Sequence, residues 1–330
     1  MKNKILVIGS INYDLVVYAQ RHPIPGETIL GNRFYTFPGG KGANQAIAAA
    51  RLGGNVQMVG HIGNDAFGQE LLLNLKKNQV ETQLVRKVKE PTGTALITVD
   101  AAGENTIIVV PGANATLKKA DIDELKDTIR EAKILLLQLE IPLEVVIHTI
   151  DIAHSFGTTI ILNPAPAAQI PIETLRKVTF IIPNECELAF LSGKETDTFA
   201  NCRQAANYLF ALGCQQIILT RGEHGAYYLS QDQQIFAPPF KVSVVDTTAA
   251  GDAFIGGLAA ALAEDLELHT ALFRASAAGA LAVTKAGAQT SLPDRIKLET
   301  FLSKHQQEVK TTKNQLESNQ NYAEIKRSKK

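Results

Sequence analysis

The sequence predicts an α/β protein: a three-layer α/β/α sandwich with a mostly parallel central sheet and a small projecting β-sheet lid. Three observations carry this expectation. Short apolar runs alternate with helical patterns through the C-terminal two-thirds of the chain. Those runs are apolar on both faces, as strands buried between two helical layers must be. The N-terminal third has a different texture, with partly alternating segments set between turn residues.

In chain order, Met1–Gly9 reads as a first strand. Leu15–Ala19 and Gly31–Phe37 read as exposed strands. Thr94–Asp100 and Thr106–Val110 flank the turn Ala101-Ala102-Gly103-Glu104-Asn105, a hairpin signature. These segments, near 12–20, 31–38 and 92–110, are expected to form the lid. Buried strands are expected at Ile134–Leu139, Thr159–Leu162, Phe180–Ile182 and Ile217–Leu219. Helices are expected at Lys119–Glu131, Leu143–Ser155, Ile172–Lys177 and Phe199–Leu212. This βα alternation requires right-handed crossovers. Ala271–Lys285 reads as a tightly packed, alanine-rich helix, and Glu299–Ser303 closes a body spanning 1–303. The polar stretch 304–330 lacks apolar anchors and is expected to be disordered or loosely helical.

Composition narrows the class. Net charge is zero and the pI is about 7.1, so no basic field would draw nucleic acid. Cys186, Cys202 and Cys214 have neither a disulfide framework nor C-x-x-C spacing, and the histidines form no H-E-x-x-H. The first apolar run is too short for a signal peptide, and no run reaches the roughly 20 residues of a membrane helix. A cytoplasmic enzyme acting on a small molecule is expected. Asn114-Ala115-Thr116 matches a glycosylation sequon but carries little weight without a secretory signal.

Two motifs carry chemistry. Asp246-Thr247-Thr248-Ala249-Ala250-Gly251-Asp252 runs into an apolar helix. The unpaired N–H groups and positive dipole of a helix start favour an anion. Asp252 places a carboxylate in the same spot. That pairing suits a general base taking a hydroxyl proton while Ala249, Ala250 and Gly251 hold a phosphoryl group; the alternative is an ordinary helix cap. The second motif, Gly39-Gly40-Lys41-Gly42-Ala43-Asn44-Gln45, precedes a helix ending near Arg51-Leu52-Gly53. Its glycines permit close backbone approach, and Lys41 and Asn44 supply donors. It is neither a Walker A loop nor G-x-G-x-x-G; the alternative is a tight strand-to-helix turn. Asn12 and Asp14 lie two apart, hence on one face of an extended chain, where they suit vicinal hydroxyls. Glu140, Asn163, Asn184 and Thr220 stand at or just past strand C-termini, where open parallel sheets bind ligands.

Gly39–Ala46 and Asp246–Phe254, about 200 residues apart, together resemble the two signatures of the PfkB-type carbohydrate kinase (ribokinase) family. The resemblance extends from Lys4 to Leu302. It is strongest to the ribokinase branch, through Ser10–Asp14, Pro25-Gly26-Glu27-Thr28, Gln138-Leu139-Glu140, Asn163–Ala167 and Gly287-Ala288-Gln289. It implies a ribokinase-like fold and ATP-dependent phosphorylation of D-ribose at O5, giving ribose 5-phosphate and ADP. By resemblance, Asn12, Asp14, Gly40, Lys41, Asn44 and Glu140 hold ribose, with Asp252 as base. Asn184, Thr220, Gly222, Gly225 and Gly251 contact ATP, and Asn184 and Glu187 lie near Mg2+. Asp246, Thr248, Ala282, Lys285, Gly287 and Ser291 surround a monovalent cation, K+. The family often has His near adenine where this chain has Ser276, which leaves that contact open. The resemblance also implies a homodimer joined through the lids. The alternatives are a kinase of the same family for deoxyribose, fructose or a nucleoside, and a non-catalytic sugar sensor.

Overall fold

Ile5, Leu6, Val7 and Ile8 are all fully shielded from solvent. They form β1 (Lys4–Ile8), and their side chains alternate between two separate cores. Ile5 and Val7 join one core; Leu6 and Ile8 join the other. Burial of each such side chain contributes about 1.5–3 kcal/mol. A strand apolar on both faces therefore demands a layer on each side, which makes the molecule a three-layer α/β/α sandwich. The computed structural model describes residues 3–305. The expectations for the polar tail fall on 306–330, outside the described residues, although Lys304 still ends the last helix.

The N-terminal elements are β2 (Asn12–Ala19), β3 (Gly31–Gly39), α1 (Lys41–Arg51), β4 (Asn55–Gly63), α2 (Ala66–Lys77), β5 (Glu81–Val88), β6 (Gly93–Val99) and β7 (Asn105–Val110). The middle of the chain supplies α3 (Lys119–Asp123), α4 (Lys126–Glu131), β8 (Ile134–Leu137), α5 (Leu143–Phe156), β9 (Thr159–Leu162), α6 (Ile172–Leu175), β10 (Phe180–Ile181), α7 (Glu185–Ser192) and α8 (Phe199–Ala211). The rest is β11 (Ile217–Thr220), β12 (Ala226–Leu229), β13 (Gln234–Ala237), α9 (Ala250–Ala263), α10 (Leu268–Ala282) and α11 (Arg295–Lys304).

The large sheet runs β13-β12-β11-β10-β9-β8-β1-β4-β5 and is parallel from β11 to β5. From β1 the chain steps outward to β4 and β5, then returns to β8 and steps the other way. The strand order therefore reverses between β1 and β8, and the crevice beyond their carboxyl ends is the ligand position of such a sheet. The antiparallel pair β12–β13 closes one edge. The second sheet, β3-β2-β6-β7, stands apart as the lid. No helix among the described residues is long and apolar enough to cross a membrane.

Besides α7 and the β12–β13 pair, which carry no element in the sequence reading, three features depart from it. The stretch expected as one helix, Lys119–Glu131, is two, α3 and α4, with the break at Glu124 and Leu125. Ile122, Leu125 and Ile129 still enter one core, as their i, i+3, i+7 spacing predicts. The segment β4–α2–β5 carries no element in that reading, because Gln57, His61 and two glycines interrupt the apolar run of β4; all of β4 past Asn55 is nevertheless buried. The alanine-rich helix spans Leu268–Ala282 and stops before Lys285, where Val283 and Thr284, both β-branched, follow it.

One glycine decides how the site is assembled. A Cβ at Gly256 would sit 2.5 Å from Ala48 Cβ and 2.7 Å from Ala49 N. Its absence lets α9 lie directly on α1. That approach brings the first turns of the two helices, one carrying Asn44 and Gln45 and the other Asp252, into contact.

Candidate active site

Beyond the carboxyl end of β1, the chain turns through Ser10 and enters the lid at Asn12. Gly40, between the end of β3 and the start of α1, has φ +87°, and a Cβ there would lie 2.7 Å from Asn12 N. Only glycine adopts this conformation and allows this approach at no cost. The start of α1 is thereby pressed against the β1–β2 turn. Its free N–H groups are met from outside: Lys41 N donates to Glu140 Oε2 (3.0 Å), Gly42 N to Ser10 Oγ (3.2 Å), and Ala43 N to Ser10 O (2.9 Å). Ser10 Oγ also donates to Glu140 Oε2 at 2.5 Å. Glu140 thus satisfies the positive end of α1 with one oxygen.

Asn12 Oδ1 accepts from Asn114 Nδ2 (2.7 Å), while Asn114 Oδ1 accepts from Ile11 N (2.9 Å). The Asn12 amide is therefore turned so that its own N–H groups remain available. Asn114, the sequon asparagine, is 1% exposed and is spent on this task, so it offers no surface for a glycan. Asp14 lies two residues along β2, with Phe37 and Ala95 beside it in register. Burial pushes its carboxyl up, and Glu140 and Asp252 push it further, to about 7.

Asp252 occupies the first turn of α9 and is 7% exposed. Its Oδ2 accepts from Asn44 Nδ2 and its Oδ1 from Gln45 Nε2, both at 2.9 Å. Burial pushes Asp252 above the usual carboxylate range; Lys41 and the two amides oppose this. Burial also pulls the Lys41 ammonium down, but Asp252, Glu140 and Glu187 outweigh it and hold Lys41 above its usual value. In the turn before α9, Ala250 N is committed to Thr247 O (3.1 Å). This removes Ala250 from the expected set of anion donors. Among the described residues, the N–H groups of Ala249, Gly251 and Asp252 make no hydrogen bond, and a Cβ at Gly251 would meet nothing within 4 Å.

The residues expected to meet ATP extend along the sheet. Asn184 caps α7, and Glu187 caps it in return: Glu187 N donates to Asn184 Oδ1 (2.8 Å) and Asn184 N to Glu187 Oε2 (2.9 Å). Burial raises Glu187; the Asn184 N–H and Lys41 oppose that rise. Thr220 bridges to Asn184, and Gly222 and Gly225 frame the turn after β11 with φ +51° and +82°. Ser276, on α10, has a buried Oγ with no hydrogen-bond partner among the described residues.

Of the residues expected around a cation, Asp246, Thr248 and Gly287 meet directly. Asp246 Oδ1 accepts from Thr248 N (2.9 Å) and Thr248 Oγ1 (2.5 Å), and its Oδ2 accepts from Gly287 N (2.8 Å). Burial alone would raise Asp246, but these donors hold it below the usual range. Ser291 Oγ donates to Ala288 O (2.8 Å), and Ala282 closes α10. Lys285 is exposed, so in this group it can offer only its backbone carbonyl.

Asn163 stands at its strand end as expected, but the roles of Ser10, Gln45, Asn114, Gln138 and Gln289 around the site escape sequence reasoning. Gln45 Nε2 also donates to Asn163 Oδ1 (3.1 Å), Gln138 Nε2 donates to Gln45 Oε1 (2.6 Å), and Gln289 Nε2 to Asn44 Oδ1 (2.9 Å). They share no sequence signal beyond being polar: Gln45 follows the Gly39–Gly42 turn and Gln289 follows Gly287, but the others lie far from either motif.

The pfkB family carbohydrate kinase model matches residues 2–295. The chain is 42% identical over 304 residues to a ribokinase from Bacillus subtilis, covering 92% of this chain and 100% of that protein. It is 38% identical to a deoxyribokinase from Salmonella typhi, covering 91% and 98%. It spans 55% of the length of a bifunctional ribokinase/ribose-5-phosphate isomerase A from Fructilactobacillus sanfranciscensis, with 40% identity and 88% of this chain covered. The solved structure of an Arabidopsis thaliana ribokinase complexed with ribose and ATP superposes with a TM-score of 0.87 at 36% identity, covering 92% of this chain and 99% of that one.

Proposed function

The chain belongs to the pfkB family of carbohydrate kinases, and from that premise we propose that it transfers the γ-phosphoryl group of ATP to the 5-hydroxyl of D-ribose. The observation that carries this reading is the position of Asp252. It is a buried carboxylate held by two amide donors, with free N–H groups in its own turn and the carboxylates of Asp14 and Glu140 nearby. Asp14, Glu140 and Asp252 make the sugar end rich in acceptors, with Lys41 as the cation among them. Such a pocket suits a neutral polyol, whose hydroxyls donate, and disfavours an anionic sugar.

In the proposed reaction the sugar oxygen attacks the γ-phosphorus, and the bond to the ADP oxygen breaks. Asp252 takes the hydroxyl proton. The N–H groups of Ala249, Gly251 and Asp252 face the charge that builds on the phosphoryl oxygens. Asn12 and Asp14 orient the sugar, and Asn184, Thr220, Gly222 and Gly225 are assigned to the nucleotide. Closure of the lid would exclude water from the transfer. Mg2+ supplies charge neutralisation on the phosphates when bound. Among the described residues no three acidic, His or Cys side chains converge as a metal cage. The donor set therefore fits a magnesium ion held mostly by phosphates, with Glu187 acting indirectly. The ionised Asp246, with the carbonyls of Thr248, Ala282, Lys285 and Gly287 and the hydroxyl of Ser291, is a hard-oxygen set that fits a monovalent cation. Potassium is proposed there, as a brace for the anion turn. Rates in potassium should exceed those in sodium or a bulky organic cation at equal ionic strength; indistinguishable rates would remove that site.

An ADP-release assay over a panel of sugars tests the substrate. Ribose should give the highest kcat/KM, and a clear preference for 2-deoxyribose would replace it. The second reading, a deoxyribokinase, is favoured by the Salmonella relative at similar identity.

We also propose that two copies pair through their lids. All six residues of β7 are exposed, including Ile107, Ile108, Val109 and Val110; Leu96 is exposed beside Ile108, and Phe34 is exposed on β3 at the other edge of the sheet. Apolar strands left open in this way call for a partner. Sedimentation should give a dimer, and Ile108→Glu should dissociate it and lower activity. A stable, fully active monomer would refute the pairing.

A further inference from the structure

Asp252 stands at one end of a row of side-chain hydrogen bonds that reaches to Arg51. Arg51 Nε donates to Asn78 Oδ1 (2.7 Å), and Asn78 Nδ2 donates to the Asn74 backbone carbonyl (2.8 Å) and to Asn74 Oδ1 (3.3 Å). Asn74 Nδ2 donates to Gln289 Oε1 (2.5 Å), Gln289 Nε2 to Asn44 Oδ1 (2.9 Å), and Asn44 Nδ2 to Asp252 Oδ2 (2.9 Å). The two ends determine the direction of the row. A guanidinium only donates and a carboxylate only accepts. Each amide between them therefore has one satisfied orientation, carbonyl toward Arg51 and N–H toward Asp252.

We propose that Gln289 and Asn74 are positioning residues for Asp252. They lock the Asn44 amide with its N–H toward the carboxylate, so that the buried base meets donors on both oxygens and stays ionised in the resting enzyme. The inference rests on the kinase reading of the site. A neutral Asp252 would need an acceptor for its own O–H. Asn44 could supply one only by turning its carbonyl inward, which would set its N–H2 against that of Gln289. Gln289 cannot reverse in turn, because Asn74 donates to its carbonyl. On the other oxygen, Gln45 is fixed through Asn163: Asn163 Nδ2 donates to Ile182 O (3.1 Å), so its Oδ1 accepts from the Gln45 N–H2 that also meets Asp252, while the Gln45 carbonyl accepts from Gln138. The protonated acid finds no acceptor among the amides that hold it, and a buried donor facing other donors is disfavoured. The other charged groups facing Asp252 are Lys41 on α1, Glu140 after β8, Asp14 on β2 and Glu187 on α7. Lys41 favours the ionised base and the three carboxylates oppose it, so the locked amides join Lys41 in holding off the proton.

The test uses the full chain with Gln289→Met and, separately, Asn74→Leu, each removing one link while leaving Asp252, Asn44 and Gln45 in place. The acid limb of kcat against pH, at saturating sugar and ATP, should move up by about half to one pH unit in both variants, with the alkaline plateau within about threefold of wild type. The same shift should persist in an Asp14→Asn background, which assigns the limb to Asp252. A 13C NMR titration of aspartate-labelled protein should report the same displacement without turnover. A limb and a titration that coincide with wild type in folded variants would overturn the proposal, as would a uniform loss of kcat at every pH, the mark of a merely structural role. If the titration moves but no sugar is phosphorylated, the kinase reading fails and the amide lock stands. If sugar is phosphorylated but neither curve moves, the lock fails and the reading stands.

Discussion

Asp252→Asn is expected to lower kcat by at least about 100-fold while leaving sugar binding largely intact. General-base catalysis contributes about 10²–10⁴-fold, and an amide cannot take the proton. The structure adds a second consequence. Both Asp252 oxygens accept from amide N–H groups, of Asn44 and Gln45. An asparagine there must turn its own N–H2 toward one of them, leaving a buried donor unpaired at a penalty of about 1–3 kcal/mol. The variant should therefore also melt at a lower temperature. The kcat for ADP release, calorimetric sugar binding and a thermal melt check the three parts. A variant with more than a tenth of wild-type kcat would take Asp252 out of the role of base.

Asp14→Ala is expected to weaken ribose by roughly 10- to 150-fold and ATP much less, since it removes a charge-assisted acceptor worth about 1.5–3 kcal/mol. Equal losses for both substrates would mean that Asp14 does not face the sugar. The pH dependence follows from its surroundings. Burial and the neighbouring Glu140 and Asp252 raise Asp14 to about 7, so in the free enzyme it is half protonated near neutrality. Ribose affinity should rise with pH from about 6 to about 8 as the acceptor ionises, and Asp14→Asn should flatten that rise. Stability runs the other way. A carboxyl raised from 3.8 to about 7 by folding binds its proton more tightly in the native state, so stability falls as pH climbs between those values. Asp14→Asn removes this penalty. Its gain in thermal midpoint should grow across that window and level off above it.

Much of this molecule was legible because its signals are local. Strand β9 follows from four apolar residues bounded by turn chemistry, and it lies at Thr159–Leu162 as the run predicts. The lid hairpin follows from the turn at Ala101–Asn105, and the starts of α1 and α9 follow from glycine beside Lys41 and Asp252. Where a pattern was broken, the reading failed. Strand β4 is buried along its length but interrupted by Gln57, Gly60 and His61, so its burial could not be read from periodicity. The helix at Lys119–Glu131 kept its apolar spacing, yet it is broken at Glu124 and Leu125, and that spacing carries no sign of the break.

The sequence by itself determined the layers, the lid and the two glycine turns, because turn residues and the two- and 3.6-residue periods act within a few positions of one another. Only the tertiary structure decided what those turns face. Gln289 and Asn44 are separated by 245 positions, and Asp252 and Asn44 by 208. They meet because the sheet order reverses at β1 and β8 and because Gly256 lets α9 settle on α1. Whether an asparagine donates or accepts, and whether a carboxylate sits near 4 or near 7, depends on neighbours brought in from other elements. A side-chain amide has the same composition in either orientation, and only the fold supplies the donor at one end and the acceptor at the other that choose between them.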